Sequence, residues 1–230
     1  MATKKQEKKG PDAQIVVLKN VRGSFLHVFS PQEKEQDDGT MRRTYNGNFM
    51  MEKGDADTKA NLDKIKKAAE AARRSKWGED PKKWPKIPSH KMCLRDGDNA
   101  DHTDRPEYED HFFLSAATPE DKPCRVLTNR KDTEGKWIEA VPGQKGAPYS
   151  GCYCNAIIRV WAQDNKHGKR INAALQTVQF RADGEPFAAQ NADADDLLDE
   201  DDVSYEGDLD DDIDTGGNDA DDDGDDDDLI

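Results

Sequence analysis

Apolar and polar positions alternate most regularly between Tyr149 and Ala162. Successive strand residues point to opposite faces, so this run has two distinct sides. One side carries Tyr149, Gly151, Tyr153, Asn155, Ile157, Arg159 and Trp161. The other carries Ser150, Cys152, Cys154, Ala156, Ile158, Val160 and Ala162, a small and mostly apolar set of the kind that packs in a core. Residues 165–168 form a turn, and residues 169–181 read as a strand running back. Its apolar phase switches between Leu175 and Val178, which predicts a β-bulge.

Earlier in the chain, residues 15–29 read as one or two strands with Gly23 as a bend, and residues 31–40 as a polar loop. Residues 43–51 read as a strand that places Arg43, Tyr45, Phe49 and Met51 on one face. Residues 111–117, 124–128 and 137–141 are further strand candidates, with a turn at 132–135. The period becomes helical once. Leu62, Ile65, Ala69 and Ala72 form an apolar stripe behind a cap at Asp57 or Thr58. Arg73, Arg74 and Lys76 occupy the last turns, where cations oppose the helix dipole, and Gly78 ends the helix. Residues 79–110 are rich in proline and charge and read as a long irregular connection. There is no internal repeat and no strand–helix alternation. The pattern predicts a mainly β fold: a curved antiparallel sheet forming a small closed or half-closed β-barrel such as the OB-fold, with one inserted α-helix.

Charge changes the picture. The chain has a net charge of −15. Residues 191–230 hold 21 acidic residues and no lysine or arginine, leaving the first 190 residues with 34 cations, 28 acids and a charge of +6. The acidic stretch has too little apolar area to offset the entropy of ordering it, so it reads as a disordered tail. Residues 1–13 read as a flexible basic arm, and residues 14–190 as the folded domain. Cys93, Cys124, Cys152 and Cys154 lack paired spacing and read as reduced, buried thiols. No apolar run approaches the roughly 20 residues of a membrane span, and the N-terminus lacks a signal-peptide core. The expectation is a cytoplasmic protein with no membrane partner.

A basic body with rings on a strand face points to single-stranded DNA. Phosphates need a positive groove, and exposed bases stack on flat side chains. Tyr149, Tyr153, Arg159 and Trp161 supply both on one strand, Lys169 and Arg170 lie on its partner, and Arg43, Tyr45 and Phe49 form a similar set earlier. The same rings would also serve as a second core layer. The polyanion can compete with DNA for the groove. Its end, Asp225, Asp226, Asp227, Asp228, Leu229 and Ile230, closes an acidic run with an apolar dipeptide suited to a partner's basic pocket.

Enzyme signatures are weak. There is no G-x-S-x-G, Walker loop or H-E-x-x-H. Asp96, Asp98, Asp101 and Asp104 lack calcium-loop spacing, and His90 and Cys93 with His102 or His111 lack zinc-site spacing. No catalytic residue, metal or cofactor is assigned. Three rival readings stay open: an acidic-tailed chaperone of basic proteins or DNA mimic, an RNA binder, and a metal-dependent nuclease built on Asp96–Asp104. The oligomeric state is open too.

The run Tyr149-Ser-Gly-Cys-Tyr-Cys-Asn-Ala156, with Ala173-Ala-Leu-Gln-Thr-Val-Gln-Phe180 and Asp183-Gly-Glu-Pro186, resembles the phage single-stranded DNA-binding proteins of the Enc34 type. Lys19-Asn-Val-Arg22, Lys76-Trp-Gly78 and Leu94-Arg-Asp-Gly-Asp98 add shorter matches, and the likeness spans residues 15–187. The resemblance implies an OB-fold, sequence-tolerant binding of single-stranded DNA, and a role in phage replication or recombination. The acidic tail also resembles those of bacterial and tailed-phage single-strand binders, a likeness that implies recruitment of phage or host replication proteins. The tail's Leu229-Ile230 ending, in place of an aromatic, departs from that pattern.

Overall fold

A computed structural model of the chain describes residues 12–35, 39–99 and 106–187. The chain divides into two units, 1–189 and 190–230, and every described residue belongs to the first. Its elements are β1 (Ile15–Glu35), β2 (Met41–Glu52), α1 (Ala56–Trp77), β3 (Leu94–Asp96), β4 (His111–Pro119), β5 (Arg125–Lys131), β6 (Trp137–Glu139), β7 (Tyr153–Asn165) and β8 (Gly168–Ala182). The sheet order is β3-β4-β2-β1-β7-β8-β5-β6, and β4 also pairs with β8. That last pairing closes five strands, β1, β2, β4, β8 and β7, into a barrel.

The expected antiparallel sheet needs one correction. Five strands cannot alternate direction all the way round a closed barrel, so one seam must be parallel. That seam is β4 against β8, where Ala117 pairs with Ala174. β5 then adds to the outer part of β8, also in parallel, through residues 125–127 and 177–179. β6 folds back on β5 beyond the turn expected at 132–135.

The alternation after Tyr149 decides the core. Cys154, Ala156, Ile158 and Val160 of β7 are fully buried, in one core with Leu18 and Val21 of the adjacent β1 and with Phe49 and Leu114. The four cysteines are free thiols inside this core, as expected from their spacing. The predicted bulge in the return strand is present: Ile157 pairs with Thr177 and Ile158 with Leu175, which leaves Gln176 as the extra residue.

β1 is longer than its sequence reads. Residues 32–35 pair with residues 41–44 of β2, so the first half of the expected 31–40 loop belongs to a strand arm. Pro31 fits because the ladder shifts register between His27 and Gln32, where no proline N–H is required. A second irregularity lies between Leu18 and Val21, with Asn20 at φ 51°. This bulge leaves backbone groups of Lys19 without ladder partners. Asn61 of α1 satisfies both: its Oδ1 accepts from the Lys19 N–H at 3.1 Å, and its Nδ2 donates to the Lys19 carbonyl at 2.8 Å.

That bond helps explain where α1 begins. The cap is Asp55, whose carboxylate accepts from the Asp57 N–H at 3.2 Å, rather than Asp57 or Thr58. Thr58 and Asn61 are both buried against the barrel, so the first turn is needed for packing. Ile65, Ala68 and Ala72 continue the buried stripe, and Gly78 ends the helix at φ 89°. Among the described residues of 79–110 are three short 3-10 turns and β3, a strand too short to show a period in the sequence. At the start, Asp12, assigned above to the flexible arm, is held by an ion pair to Arg159. Residues 1–11 of that arm and the tail lie outside the described residues. Among the described residues, no helix is long and apolar enough to cross a membrane.

Candidate nucleic-acid interface

β2 presents two different faces. Tyr45, Phe49 and Met51 turn toward the core, with Phe49 fully buried. The alternate residues Arg42, Thr44, Asn46 and Asn48 line an open cleft of about 1400 Å³. One wall is the β1–β2 hairpin, with Lys34, Glu35 and Met41. The opposite wall is the β7–β8 hairpin, with Trp161, Gln163, His167, Arg170 and Asn172. Residues 90–93 and Arg95 close the remaining side, and Ser115 of β4 lies on the floor. The lining holds five cations, Lys34, Arg42, Lys91, Arg95 and Arg170, against one carboxylate, Glu35.

The floor is a directed chain of hydrogen bonds. The Arg95 guanidinium donates to Ser115 Oγ at 2.8 Å, and Ser115 donates to Asn48 Oδ1 at 2.7 Å. Asn48 Nδ2 donates to the Tyr108 hydroxyl at 2.7 Å, which donates to Ser24 Oγ at 3.3 Å. Bonds that run in one direction polarise one another in a low-dielectric site. Beneath them Tyr108 meets Phe113 edge to face at 4.7 Å, and Met50 completes a small second core. Arg95 also lies over the Phe113 ring, 4.7 Å from its centroid. Its charged head is therefore fixed toward the cleft before any ligand arrives. Trp161 leaves 40% of its surface exposed in the cleft, whereas the Tyr108 and Phe113 rings are buried.

The nine body residues singled out in the sequence separate into groups. Trp161 and Arg170 line the cleft. Phe49 is a correction: it is fully buried and no base can reach its ring. Tyr45 packs on the same core, and Arg43 pairs with Glu120 at 2.7 Å on the face away from the cleft. Tyr149 packs on the core, donates to the Gly184 carbonyl at 2.8 Å and accepts from the Gly184 N–H at 3.0 Å. Burial holds its phenol above the ordinary range, so it ties residues 183–184 to the barrel as a neutral group. Tyr153 and Arg159 lie on the outer face of β7, on the far side of the barrel from the β2–β4 seam, and do not line the cleft. Arg159 is engaged by Asp12 at 2.8 Å. Lys169 sits beside the hairpin turn, 3.7 Å from Asp164, outside the lining.

Arg42, Asn48 and Arg95 also line the cleft, and the sequence pattern does not single them out. The first two lie on the polar phase of β2, opposite the phase that carries Arg43. Arg95 had no signal, because β3 is too short to show a period. The acidic loop considered for a metal is occupied differently. Lys53 reaches Asp96 at 2.6 Å and Asp98 at 2.5 Å. Its bond lowers the Asp98 carboxyl below its usual range, while both carboxylates raise Lys53. Asp101, Asp104 and His102 lie outside the described residues, as do Asp225–Ile230. Among the described residues, no group of three metal-ligating side chains occurs.

A closed five-stranded barrel whose second-strand face opens between two hairpins is an OB-fold, a scaffold that binds oligonucleotides and oligosaccharides on that face. A basic groove with an exposed ring is the pattern of its single-strand binders. The sequence carries the relationship further. The chain belongs to the family of the single-stranded DNA-binding protein of Enterobacter phage Enc34, whose pattern matches residues 14–209. It is 32% identical over 178 residues to protein p50 of Acyrthosiphon pisum secondary endosymbiont phage 1, covering 75% of this chain and 85% of that one. Among solved structures it resembles the bacteriophage Enc34 single-stranded DNA-binding protein in complex with single-stranded DNA. The TM-score is 0.59 at 29% identity, covering 76% of this chain and 90% of that one. A second structure of the same Enc34 protein aligns with a TM-score of 0.56 at 29% identity, over 81% and 91% of the two chains.

Proposed function

We propose that this chain coats single-stranded DNA without sequence preference during phage DNA replication or recombination, as a non-enzymatic binder in the host cytoplasm. The observation that carries this reading is the cleft, with five cations against one carboxylate around the exposed Trp161. Arg42, Arg95 and Arg170 hold phosphates, Lys34 and Lys91 add to the field, and Trp161 stacks on a base. Asn46, Asn48 and Ser115 offer polar groups that fit any base edge or sugar. Displacement of counterions by these contacts drives binding and makes it weaken with salt. Family membership and the likeness to the Enc34 complex support the same reading.

Residues 191–230, at −21, act as an internal competitor for the cleft. Covalent linkage to the body holds such a segment at an effective concentration on the order of millimolar. The terminal Asp225, Asp226, Asp227, Asp228, Leu229 and Ile230 serve as the hook for a basic pocket on a replication or recombination protein. The test is a salt titration of oligonucleotide binding, with full-length protein and with residues 191–230 deleted. The deleted form should bind single strands more tightly, with Trp161 fluorescence quenched on binding. Equal affinity for duplex and single strands at equal salt would refute the reading.

A further inference from the structure

Much of the body's positive charge lies on a segment that runs up to the cleft, where Lys91 is its one cation in the lining. Residues 73–91 carry seven cations, Arg73, Arg74, Lys76, Lys82, Lys83, Lys86 and Lys91, and two acids, Glu79 and Asp80. Their charge of +5 compares with +6 for the first 190 residues together. Lys76, Lys82, Lys83 and Lys86 are exposed, and among the described residues none of the four forms an ion pair.

This segment is held in place. The Trp77 indole at the end of α1 donates to Asp164 at 2.8 Å, which fixes the helix end to the β7–β8 hairpin. The Trp84 indole donates to the Gly78 carbonyl at 2.8 Å and folds the following turn back on the helix. Asp80 caps that turn by accepting from the Lys82 N–H at 3.1 Å. The segment runs straight into the cleft wall. The Arg73 guanidinium lies 3.8 Å from Met92 Sδ, Met92 bridges to Ile171 of β8, and Met92 and Ile171 both line the cleft. The Lys91 ammonium lies beside Gly168 at the hairpin tip.

The geometry points to a second stretch of the binding path: residues 73–91 take up the phosphates of a single strand as it leaves the cleft past the β7–β8 hairpin. This rests on the cleft reading above and adds a length requirement to it. Neither tryptophan of the segment is openly exposed, since Trp77 and Trp84 are half buried with their indoles engaged, and its exposed histidine, His90, belongs to the cleft lining. The contacts are therefore to phosphate, and they extend the footprint without selecting bases.

The test uses the full chain with Lys76→Gln, Lys82→Gln, Lys83→Gln and Lys86→Gln combined. Binding is measured for a short oligothymidylate that fills the cleft alone, about 6 nucleotides, and for one of about 20, bracketing the usual reach of an OB-fold. The four positions are exposed, and an unchanged melting curve checks that the variant is folded. The short strand should bind within about twofold of wild type. The long strand should weaken on the order of tenfold, four exposed ion pairs each contributing a factor of about 1.4 to 5. Its salt slope should fall by about 0.7 for each phosphate contact removed. Equal weakening at both lengths, or no weakening at either, overturns the proposal. Tighter binding that disappears when residues 191–230 are deleted also overturns it, assigning the surface to the acidic segment. Arg42→Gln with Arg95→Gln, run in parallel, tests the cleft itself: it should weaken both lengths, and its failure to do so refutes the cleft reading independently.

Discussion

Replacing Arg95 by methionine removes a charge while keeping most of the side-chain volume over Phe113. Arg95 is half buried, bonded to Ser115 at 2.8 Å and stacked 4.7 Å from the Phe113 centroid. Its orientation is set before DNA arrives, so little entropy is lost when a phosphate binds. A hydrogen bond to a charged group is worth about 1.5–3 kcal/mol, which corresponds to a loss of about 10- to 150-fold in affinity. One phosphate contact fewer lowers the log–log salt slope by about 0.7. Stability should change far less. Ser115 keeps its bond to Asn48, so about 1 kcal/mol is lost, or about 2–4 °C in Tm for a domain of this size. Arg95→Lys should recover charge but not geometry, because an ammonium cannot donate to Ser115 and lie flat on Phe113 together. Anisotropy titrations at four or five salt concentrations give both quantities. A methionine variant with unchanged slope and affinity would refute the reasoning and leave Arg95 a purely structural group.

Trp161→Ala should weaken single-strand binding by about 1–3 kcal/mol, one base stack, and abolish most binding-induced fluorescence quenching. Its thermal melt should move little, because the ring is already 40% exposed. Phe49→Ala should do the reverse: a fully buried ring lost from the core costs about 3–5 kcal/mol of stability, seen as a lower denaturation midpoint. Its folded fraction should bind DNA normally. Asp98 has a carboxyl pKa lowered chiefly by its bond to Lys53, so its contribution to stability is present above the ordinary aspartate value near 3.9 and lost as pH falls through the lower folded value. The Tm gap between wild type and Asp98→Asn should therefore be constant near neutrality and vanish in acid; a gap that widens on acidification would contradict the ion pair.

Much of this protein is legible in one dimension. The split between a +6 body and a −21 segment is a matter of counting and needs no structure. The face of β7 that packs inward is equally plain, because Cys154, Ala156, Ile158 and Val160 alternate with larger polar and aromatic residues. The bulge at Gln176 is visible as a phase switch, and α1 as a change of period. Each of these depends on neighbours a few residues apart, where backbone geometry alone fixes which side chains share a face.

The cleft required the closed barrel. On β2 both phases contain a basic residue, and alternation groups Arg43 with Tyr45 and Phe49 without saying which group looks inward. Packing against Leu114 and the β7 face decided it, burying Phe49 and turning Arg42, Asn46 and Asn48 to solvent. Arg95 and Lys91 arrive from a segment with no periodic signal, placed by β3 pairing with β4 and by Met92 bridging to β8. The parallel β4–β8 seam follows from closing an odd number of strands, a property of the whole ring and of no single strand. Local pattern determines what each strand buries; the long-range pairings determine which exposed residues meet, and the binding surface is made of those meetings.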